Sequence, residues 1–463
     1  MTEQLKLKLN DSKATRWGAL VIVAFTMMAA YYVNDVVAPL KTMLETDLAW
    51  SSTDFGFFTG GYSFLNVFFL MLIWGGLILD RFGIRFTGKL ATILMVGGTA
   101  LEYYAMTGLA SADATLFGIN EIFGYKTGVF VAFAGYSIFG VGAEVAGITV
   151  SKIIAKWFKG KELATAMGVQ VALARIGSQA GYAVAIPLAR AFGISTPVLL
   201  GLVLLLGGMI AFFIFAVMDK KLDKQMEAAA IAAGTEDEEE KFSFKDVKNI
   251  LVNPGFWLIA LLCVLFYSCV FPFQKFASEL MIIKYGINEN VAGTFAGLPA
   301  LGALILTPVF GSFIDKRGKS ASIMLLGSAM LICVHFIYAI PDINYWLVAI
   351  VLMIILGIAF SLVPSAMWPA VAKIFPVSQL GTAYALIFFI QNIGLWGIPT
   401  LIGWVLDAYC ISGKKPDGTN MYDYTVPMCI FTGIACLSLI VALLLKKADK
   451  KYGYKLEEPN IQK

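Results

Sequence analysis

The chain has 463 residues, of which 59% are hydrophobic and 14% are charged, and its formal net charge is +4. Soluble proteins carry about 25% charged residues, so this composition excludes a water-soluble globular protein. The small net charge gives no indication of nucleic-acid binding. We therefore interpret the chain as an all-α integral membrane protein whose solvent is the lipid bilayer.

Apolar segments recur along the whole chain. A bilayer core requires about 20 apolar residues in one helix, and on this basis the sequence predicts twelve transmembrane helices. They cover residues 17–42, 55–79, 88–110, 127–151, 162–189, 195–217, 255–283, 291–314, 320–340, 345–372, 378–408 and 424–446.

One long polar segment separates the first six predicted helices from the last six. The predicted organisation is a six-helix bundle at 1–217, a cytoplasmic linker at 218–254, a second bundle at 255–446 and a cytoplasmic tail at 447–463. The acidic run "EDEEEK" at 236–241 lies in the linker, and we interpret it as a solvated segment.

The positions of the basic residues predict the orientation. Most of the 35 lysines and arginines fall on one side of the membrane if both termini are cytoplasmic. Six fall on the other side: Lys41, Lys126, Arg190, Lys284, Lys414 and Lys415. Cytoplasmic loops carry the excess of Lys and Arg in membrane proteins, so both termini are expected in the cytoplasm.

The six cysteines are scattered, without a CxxC motif or a Cys/His cluster. This pattern predicts no metal site, and nothing in the sequence indicates a cofactor. Cys410 and Cys429 fall on the outer side, where a disulfide between them is geometrically conceivable, although we expect two free thiols. The single histidine, His335, lies in an apolar run and is expected to pack between helices.

Two polar turns repeat one pattern at the same place in each half. After the second predicted helix the chain reads "GGLILDRFGIRFTGK", and after the eighth it reads "GSFIDKRGK". The residues of the pattern are Gly76, Asp80, Arg81, Gly83, Arg85, Gly311, Asp315, Lys316 and Gly318. We expect the first glycine to allow close helix approach, the aspartate to pair with a basic residue or cap a helix, and the second glycine to permit a tight turn.

This repeated pattern resembles the signature loop of the major facilitator superfamily, and the resemblance covers the whole chain. It implies two pseudo-symmetric six-helix bundles related by an axis along the membrane normal, with a central site near the midplane. It also implies a monomer that works by alternating access, with the signature residues acting as gating elements.

Several charged residues fall inside predicted helices. A charge at the bilayer centre costs about 2.5–3.5 kcal/mol on insertion scales, and such side chains normally face a cavity or a partner. Asp35, Glu144, Arg175 and Lys275 are therefore candidate site residues, while Glu102 stays unassigned.

Glu144 and Arg175 lie on consecutive helices joined by the short turn "KWFKGKELA". At 1.5 Å per residue they are about 14 Å and about 20 Å from the cytoplasmic ends of their helices, within reach of each other. We expect either a direct ion pair or two groups that bind the two ends of one substrate. Small residues nearby are expected to leave room for a ligand: Gly140, Gly142, Ala143, Gly147, Ala172, Ala174, Gly177 and Ser178.

Two other charged positions leave alternatives open. Lys275 and Glu279 are one turn apart near the outer end of the seventh predicted helix, which is compatible with a local i,i+4 pair or with a substrate contact for Lys275. Asp35 lies in the outer third of the first predicted helix, where we expect a role in a gate or a pocket.

Three longer stretches narrow the family. They read "GAEVAGITVSKIIAKWFKGKELATAMGVQVALARIGS", "AMWPAVAKIFPVSQLGTAYALIFFIQNIGLW" and "GFWLIALLCVLFYSCVFPFQKFASEL". Together they resemble the animal lysosomal dipeptide transporters of the major facilitator superfamily domain-containing protein 1 family. The resemblance implies transport of short peptides, chiefly dipeptides, with Glu144 and Arg175 as the central recognition groups.

The chemistry of these two residues suits a dipeptide, which is a zwitterion. A carboxylate holds an α-ammonium group, and a guanidinium binds an α-carboxylate in a bidentate manner. We expect the peptide side chains to meet the walls of the site, formed by Tyr62, Phe273, Trp368, Gln391 and Asn392.

Two alternatives belong to other classes of function. Arg175 and Lys275 together are compatible with an organic-anion transporter for carboxylates or dicarboxylates. A receptor or scaffold without transport is less compatible with two gating loops. The chain carries no nucleophile–base set and no nucleotide-binding loop, so we do not expect an enzyme.

The expected location is a multi-pass bacterial inner (plasma) membrane. The sequence has no acidic dileucine signal, and the single N-x-S/T match, at Asn10, is on the predicted cytoplasmic side. A lysosomal membrane is expected only if the chain is eukaryotic.

Overall fold

The computed structural model describes residues 8–111, 114–158, 161–233 and 244–459, and they are almost entirely helical. The first half, which ends at residue 233, begins with a short 3-10 turn at Leu9–Asp11 and has another at Ala38–Leu40. Its helices are α1 (Lys13–Val36), α2 (Lys41–Asp47), α3 (Ser52–Phe68), α4 (Met71–Thr107), α5 (Thr127–Trp157), α6 (Leu163–Phe192) and α7 (Thr196–Ala233).

The second half begins at residue 244 and has the same long-helix character. Its helices are α8 (Phe244–Val252), α9 (Pro254–Tyr285), α10 (Glu289–Ala296), α11 (Leu298–Arg317), α12 (Ser320–Ala339), α13 (Trp346–Ile374), α14 (Val377–Tyr409) and α15 (Thr425–Tyr452). Two antiparallel hairpins complete the described structure: β1 (Glu121–Ile122) with β2 (Tyr125–Lys126), and β3 (Ile411–Lys414) with β4 (Asn420–Tyr422).

Among the described residues, nine helical segments are long and apolar enough to cross a membrane, and the bent pair α3 and α4 makes ten. The helix α6 is not among them, although it has 30 residues. Its middle carries Gln170, Arg175 and Gln179, and these polar side chains lower its mean hydropathy. The count of twelve spans stays a prediction.

Two breaks explain why α3 and α4 do not follow the predicted spans. The chain bends by 58° between α3 and α4, where Leu70 has a left-handed backbone with φ 54°. Inside α4, Gly83 has φ 74° and ψ 173°, so two helices meet there. A residue with a side chain rarely adopts such a conformation. Gly83 therefore lies between the second predicted span (55–79) and the third (88–110).

Each half has its own set of packed helices. In the first half, α4 packs on α5 and α7, and α1 packs on α6 and α7. In the second half, α12 packs on α13 and α15, and α11 packs on α13. The buried apolar side chains nevertheless form one continuous core, because α3 packs on α14 and α6 packs on α10 and α11.

The contact between α3 and α14 depends on two glycines. A Cβ atom at Gly56 would lie 2.4 Å from the Pro399 carbonyl oxygen, and one at Gly403 would lie 2.2 Å from the Ser52 carbonyl oxygen. Only a residue without a side chain permits this approach. The backbones of the two halves therefore touch directly at this point.

The start of α3 is also held by the other half. Ser51 and Asp54 form a capping box, which satisfies free N–H groups of the first turn. The Asp407 carboxylate of α14 accepts hydrogen bonds from the backbone N–H groups of Ser52 at 3.3 Å and Thr53 at 2.6 Å. This end of the molecule also carries the β3–β4 hairpin, and we call it the hairpin end.

The predicted cytoplasmic linker (218–254) and tail (447–463) both contain helical residues. The helix α7 continues to Ala233, and α8 occupies Phe244–Val252. The acidic run at 236–241 lies outside the described residues. In the tail, Glu457 accepts hydrogen bonds from the backbone N–H and the hydroxyl of Ser322, each at 2.8 Å.

We expect Gly403→Val to lower the melting temperature of the purified protein, because the added side chain must push α3 away from α14. Overpacking of this kind costs about 1–3 kcal/mol. Thermal unfolding followed by tryptophan fluorescence measures the effect. Gly433→Val is the matched control, since a Cβ atom there meets nothing within 4 Å. Equal melting temperatures for the two variants would contradict the role of Gly403.

Candidate functional site

Glu144 lies near the middle of α5 and points toward α3. Its Oε1 atom accepts a hydrogen bond of 3.0 Å from the Tyr62 hydroxyl. Glu144 is only half-buried. The hydroxyl orients the carboxylate and leaves its other oxygen free to accept a further hydrogen bond.

Arg175 lies near the middle of α6, between aromatic rings from the two halves. Its guanidinium carbon is 5.5 Å from the ring centroid of Tyr31 on α1 and 4.9 Å from that of Phe360 on α13. Cation–π contacts at these distances are favourable, and more so when water is removed. They hold the guanidinium without using its N–H donors.

Glu144 and Arg175 do not pair with each other. Among the described residues, no ion pair within 4.0 Å involves either side chain, whereas other buried charges in the structure do form such pairs. The direct ion pair, one of the two predicted alternatives, is therefore wrong for this structure. An acid and a base on neighbouring helices remain free for other partners.

The small residues near these charges mainly bring helices together. A Cβ atom at Gly140 would lie 2.0 Å from the Tyr62 carbonyl oxygen, and one at Gly177 would lie 2.1 Å from that of Met28. The expectation that they leave room for a ligand is wrong at these two positions. Gly147 differs, because the nearest atom to its Cβ position is the Met27 Cε at 3.9 Å.

Asp35 and Lys275 form a second charged group, which joins the two halves. The Lys275 Nζ atom of α9 lies 3.4 Å from Asp35 Oδ1 on α1 and donates to the Asn34 carbonyl oxygen at 2.6 Å. The Ser178 hydroxyl of α6 donates to Asp35 Oδ2 at 2.6 Å. The Tyr136 hydroxyl of α5 lies 3.3 Å from Lys275. This network links three helices of the first half to α9.

The suggested local pair between Lys275 and Glu279 is therefore wrong, because each residue has a partner in the first half. Glu279 instead binds Lys41, with the ammonium nitrogen 2.5 Å from the carboxylate oxygen.

Glu102 is 1% exposed, and its carboxylate oxygens have no hydrogen-bond partner among the described residues.

The charges around Lys41 form a group that we call the hairpin cluster, made of Lys41, Glu45, Glu279, Lys415 and Tyr424. Lys41 bridges Glu45 and Glu279, both at 2.5 Å, and Lys415 lies 3.6 Å from Glu279 and 3.9 Å from Glu45. The Tyr424 hydroxyl donates to Glu279 at 2.5 Å. Opposite charges thus join the halves at the hairpin end.

Sequence reasoning missed this cluster because it placed Lys41 and Lys415 in outer loops as simple orientation signals. The available hint was Glu279, an acid in an apolar helix that needs a counter-ion. Sequence spacing does not reveal that this partner lies 238 residues away.

The four remaining predicted wall residues differ in their surroundings. Phe273 is fully buried against His335, Tyr338 and Phe431. Its predicted place in the wall of the site is therefore wrong, because it faces the core of the second half. His335 is also buried, and its Nε2 atom is 3.0 Å from the Cys269 carbonyl oxygen.

Trp368 is half-buried and stacks on Phe388 with a centroid distance of 4.8 Å. Gln391 is 8% exposed and accepts a contact of 3.4 Å from the Cys263 thiol. The Asn392 amide donates to the Phe388 carbonyl oxygen at 2.9 Å, and its Oδ1 atom has no partner among the described residues. These three side chains lie on α13 and α14 of the second half.

The signature turn of the first half is a network of charges. Asp80 binds Lys152 of α5 at 3.1 Å. Arg85 binds Asp223 of α7 at 2.6 Å. The guanidinium carbon of Arg81 lies 5.5 Å from the centre of the neighbouring Phe82 ring. These contacts tie the turn to two other helices of the same half.

The glycines of the two signature turns have different surroundings. Gly83 and Gly318 have φ of 74° and 71°, which a tight turn requires. Gly76 and Gly311 have nothing within 4 Å of a Cβ position, so the expected close helix approach at these two residues is wrong for this structure. In the second turn, Asp315 is half-buried and Lys316 is exposed.

All six cysteines are free thiols, including Cys410 and Cys429. Cys410 is buried and Cys429 is exposed.

Residues 20–399 and 276–459 match the family model of the Major Facilitator Superfamily. These matches cover most of the chain, which therefore belongs to this superfamily of membrane transporters. Its members are transporters and not enzymes.

Curated relatives match over most of the chain. The lysosomal dipeptide transporter MFSD1 of Homo sapiens is 29% identical over 454 residues, which are 95% of this chain and 88% of the relative. The Danio rerio protein of the same name is 26% identical over 441 residues, or 93% and 86% of the two chains. The resemblance seen in the sequence is confirmed, and these names do not favour the organic-anion alternative.

Solved structures confirm the fold. The nucleoside transporter NupG has a TM-score of 0.68 at 12% identity, and the alignment covers 92% of this chain and 99% of that one. The peptide transporter POT has a TM-score of 0.67 at 15% identity, with 95% of each chain covered. At these identities the likeness concerns the fold alone.

We expect Lys41→Met to destabilise the protein, because it leaves the hairpin cluster with uncompensated buried carboxylates. Removing one partner of a buried pair typically costs about 3–5 kcal/mol. The midpoint of thermal unfolding should fall, and the double variant Lys41→Met/Glu279→Gln should recover part of the loss because it restores charge balance. Lys414→Met, an exposed lysine of the same hairpin, is the control. A Lys41→Met variant as stable as this control would contradict the cluster's role.

Proposed function

We propose that this protein transports dipeptides and other short peptides across a membrane by alternating access. The observation that carries the proposal is the pair Glu144 and Arg175, an acid and a base on adjacent helices that do not bind each other. The names of the curated relatives support the substrate class.

In this proposal each charged group binds one end of the substrate. The Glu144 carboxylate, held by Tyr62, receives the α-ammonium group. The Arg175 guanidinium binds the α-carboxylate through two parallel N–H donors, a geometry that lysine does not offer. Recognition of the two ends limits the length of the peptide that binds. The side chains of the peptide contact the walls of the site, which select less strictly among them.

We also propose a membrane topology with twelve spans in two six-helix bundles and both termini in the cytoplasm. The distribution of Lys and Arg supports this orientation. The helix α6 has 30 residues, or about 45 Å at 1.5 Å per residue, which is enough to span a bilayer. The hairpin end then faces outward, and the protein works as a multi-pass monomer in the plasma membrane.

Opening of the hairpin end would have to separate its contacts between halves. These include the Asp35–Lys275 pair, the hairpin cluster and the Asp407 cap on α3. We assign them to the outer gate of an alternating-access cycle, in which one bundle rocks against the other. Asp35 and Lys275 belong to this gate and lie beside the substrate site through Ser178 and Tyr136.

We expect Glu144→Gln and Arg175→Ala each to abolish dipeptide uptake, because each removes one ionic contact with the substrate. Uptake of a radiolabelled dipeptide into proteoliposomes measures the effect, and unchanged melting temperatures show that the variants fold. Glu121→Gln, which changes an exposed acid on β1, is the matched control. Full uptake by either site variant would refute the proposed site.

A thermal-shift panel separates the substrate classes. We expect dipeptides to raise the melting temperature of the purified protein, because a ligand that binds the folded state stabilises it. Organic acids should have little effect, since they lack the ammonium group that Glu144 binds. Glu144→Gln should remove the response to dipeptides. Stabilisation by organic acids alone, retained in Glu144→Gln, would contradict the dipeptide proposal.

A further inference from the structure

Three aromatic rings of the second half form a wall beside Arg175. Tyr267 and Phe271 of α9 stack with a centroid distance of 5.5 Å, and both contact Phe360 of α13, at 6.2 Å and 5.3 Å. We call these three residues the aromatic wall. Phe360 itself lies against the guanidinium at 4.9 Å. The wall therefore begins at the group that binds the substrate carboxylate in the proposed function.

The contacts of Arg175 decide where a carboxylate can approach. The guanidinium carbon lies over the rings of Tyr31 and Phe360, and these contacts do not use the N–H donors of the guanidinium. Among the described residues these donors have no ionic partner within 4.0 Å. These donors are therefore available to a carboxylate, which a guanidinium binds in the bidentate arrangement.

The two rings beside Arg175 come from different halves. Tyr31 lies on α1 of the first half, which also holds Glu144. Phe360 belongs to the other half and has Tyr267 and Phe271 beside it. A carboxylate bound to Arg175 therefore lies close to the aromatic wall of the second half.

The geometry of a peptide brings one side chain to this place. The Cα atom of the C-terminal residue is one bond of about 1.5 Å from the carboxylate carbon. With the carboxylate on Arg175 and the ammonium on Glu144, the C-terminal side chain leaves the backbone next to the guanidinium. The N-terminal side chain leaves it next to Glu144 and Tyr62.

We propose that the aromatic wall is the subsite for the C-terminal side chain, with Phe360 as a specificity-determining residue that favours apolar, and above all aromatic, C-terminal residues. This proposal rests on the proposed function, because it requires the peptide carboxylate on Arg175. Aromatic pairs gain stability beyond the area they bury, whereas a charged side chain would lose its hydration against three rings.

The subsite also divides recognition between the halves. Glu144 and Arg175 belong to the first half, and the aromatic wall belongs to the second. A dipeptide with an apolar C-terminal side chain therefore contacts both halves at once.

Two dipeptides of equal composition test the subsite. Alanyl-phenylalanine and phenylalanyl-alanine carry the same groups and the same charges, and they differ only in which end holds the aromatic ring. We expect alanyl-phenylalanine to bind about three- to tenfold more tightly, the range that one aromatic contact supplies. Competition by each peptide against a radiolabelled dipeptide, with purified full-length protein, measures the ratio.

Phe360→Leu should bring this ratio close to one, because leucine keeps apolar volume but removes the ring. Loss of the ring's contact with Arg175 affects both peptides alike, so the ratio and not the absolute affinity is the readout. Phe336→Leu changes an exposed ring of α12 and should keep the ratio. If Phe360→Leu does not fold, Phe271→Leu, which changes the half-buried member of the wall, provides the second variant and should also reduce the ratio.

The outcomes separate the two proposals. Equal binding of the two peptides to the natural protein, or tighter binding of phenylalanyl-alanine, overturns the subsite and leaves the dipeptide function standing. A ratio that persists in Phe360→Leu overturns the role of Phe360. Failure of both peptides to bind overturns the proposed function itself, and the subsite falls with it.

Discussion

The structure depends on how charge is compensated where water is scarce. A carboxylate or guanidinium removed from water must regain its lost hydration from the protein or from a ligand. Glu144 receives one hydroxyl, from Tyr62, and Arg175 receives two aromatic faces. Both groups are held in place, yet neither has a counter-ion among the described residues. This incomplete compensation suits a zwitterion, because a ligand need not first break an ion pair.

Two other buried lysines in the same molecule each pair with a carboxylate of the other half. Lys275 binds Asp35, and Lys41 binds Glu279, and each pair joins a helix of the first half to α9. Such pairs add specificity of arrangement more than net stability, since desolvation offsets much of their attraction. They suit a contact that forms in one conformation and separates in another. Equivalent residue types thus lie without a counter-ion in one place and are paired between the halves in another.

The backbone contacts at the hairpin end set how closely the halves approach. Gly56 and Gly403 let α3 and α14 touch, and the Asp407 carboxylate caps the first turn of α3. Phe360 of the second half also lies against Arg175 of the first. The packing of the two halves therefore contributes to the shape of the proposed site.

The sequence by itself determined the membrane class, most helix positions, the repeated turns and the superfamily, because hydropathy and turn chemistry are local properties. It also predicted that Glu144 and Arg175 lie on adjacent helices, since a short turn joins them. Only the tertiary structure decided that they do not pair, that Phe273 faces the core, and that Lys41 meets Glu279. Those outcomes depend on the rotation of each helix about its axis and on which helices meet, and both are settled by packing between segments far apart in the chain.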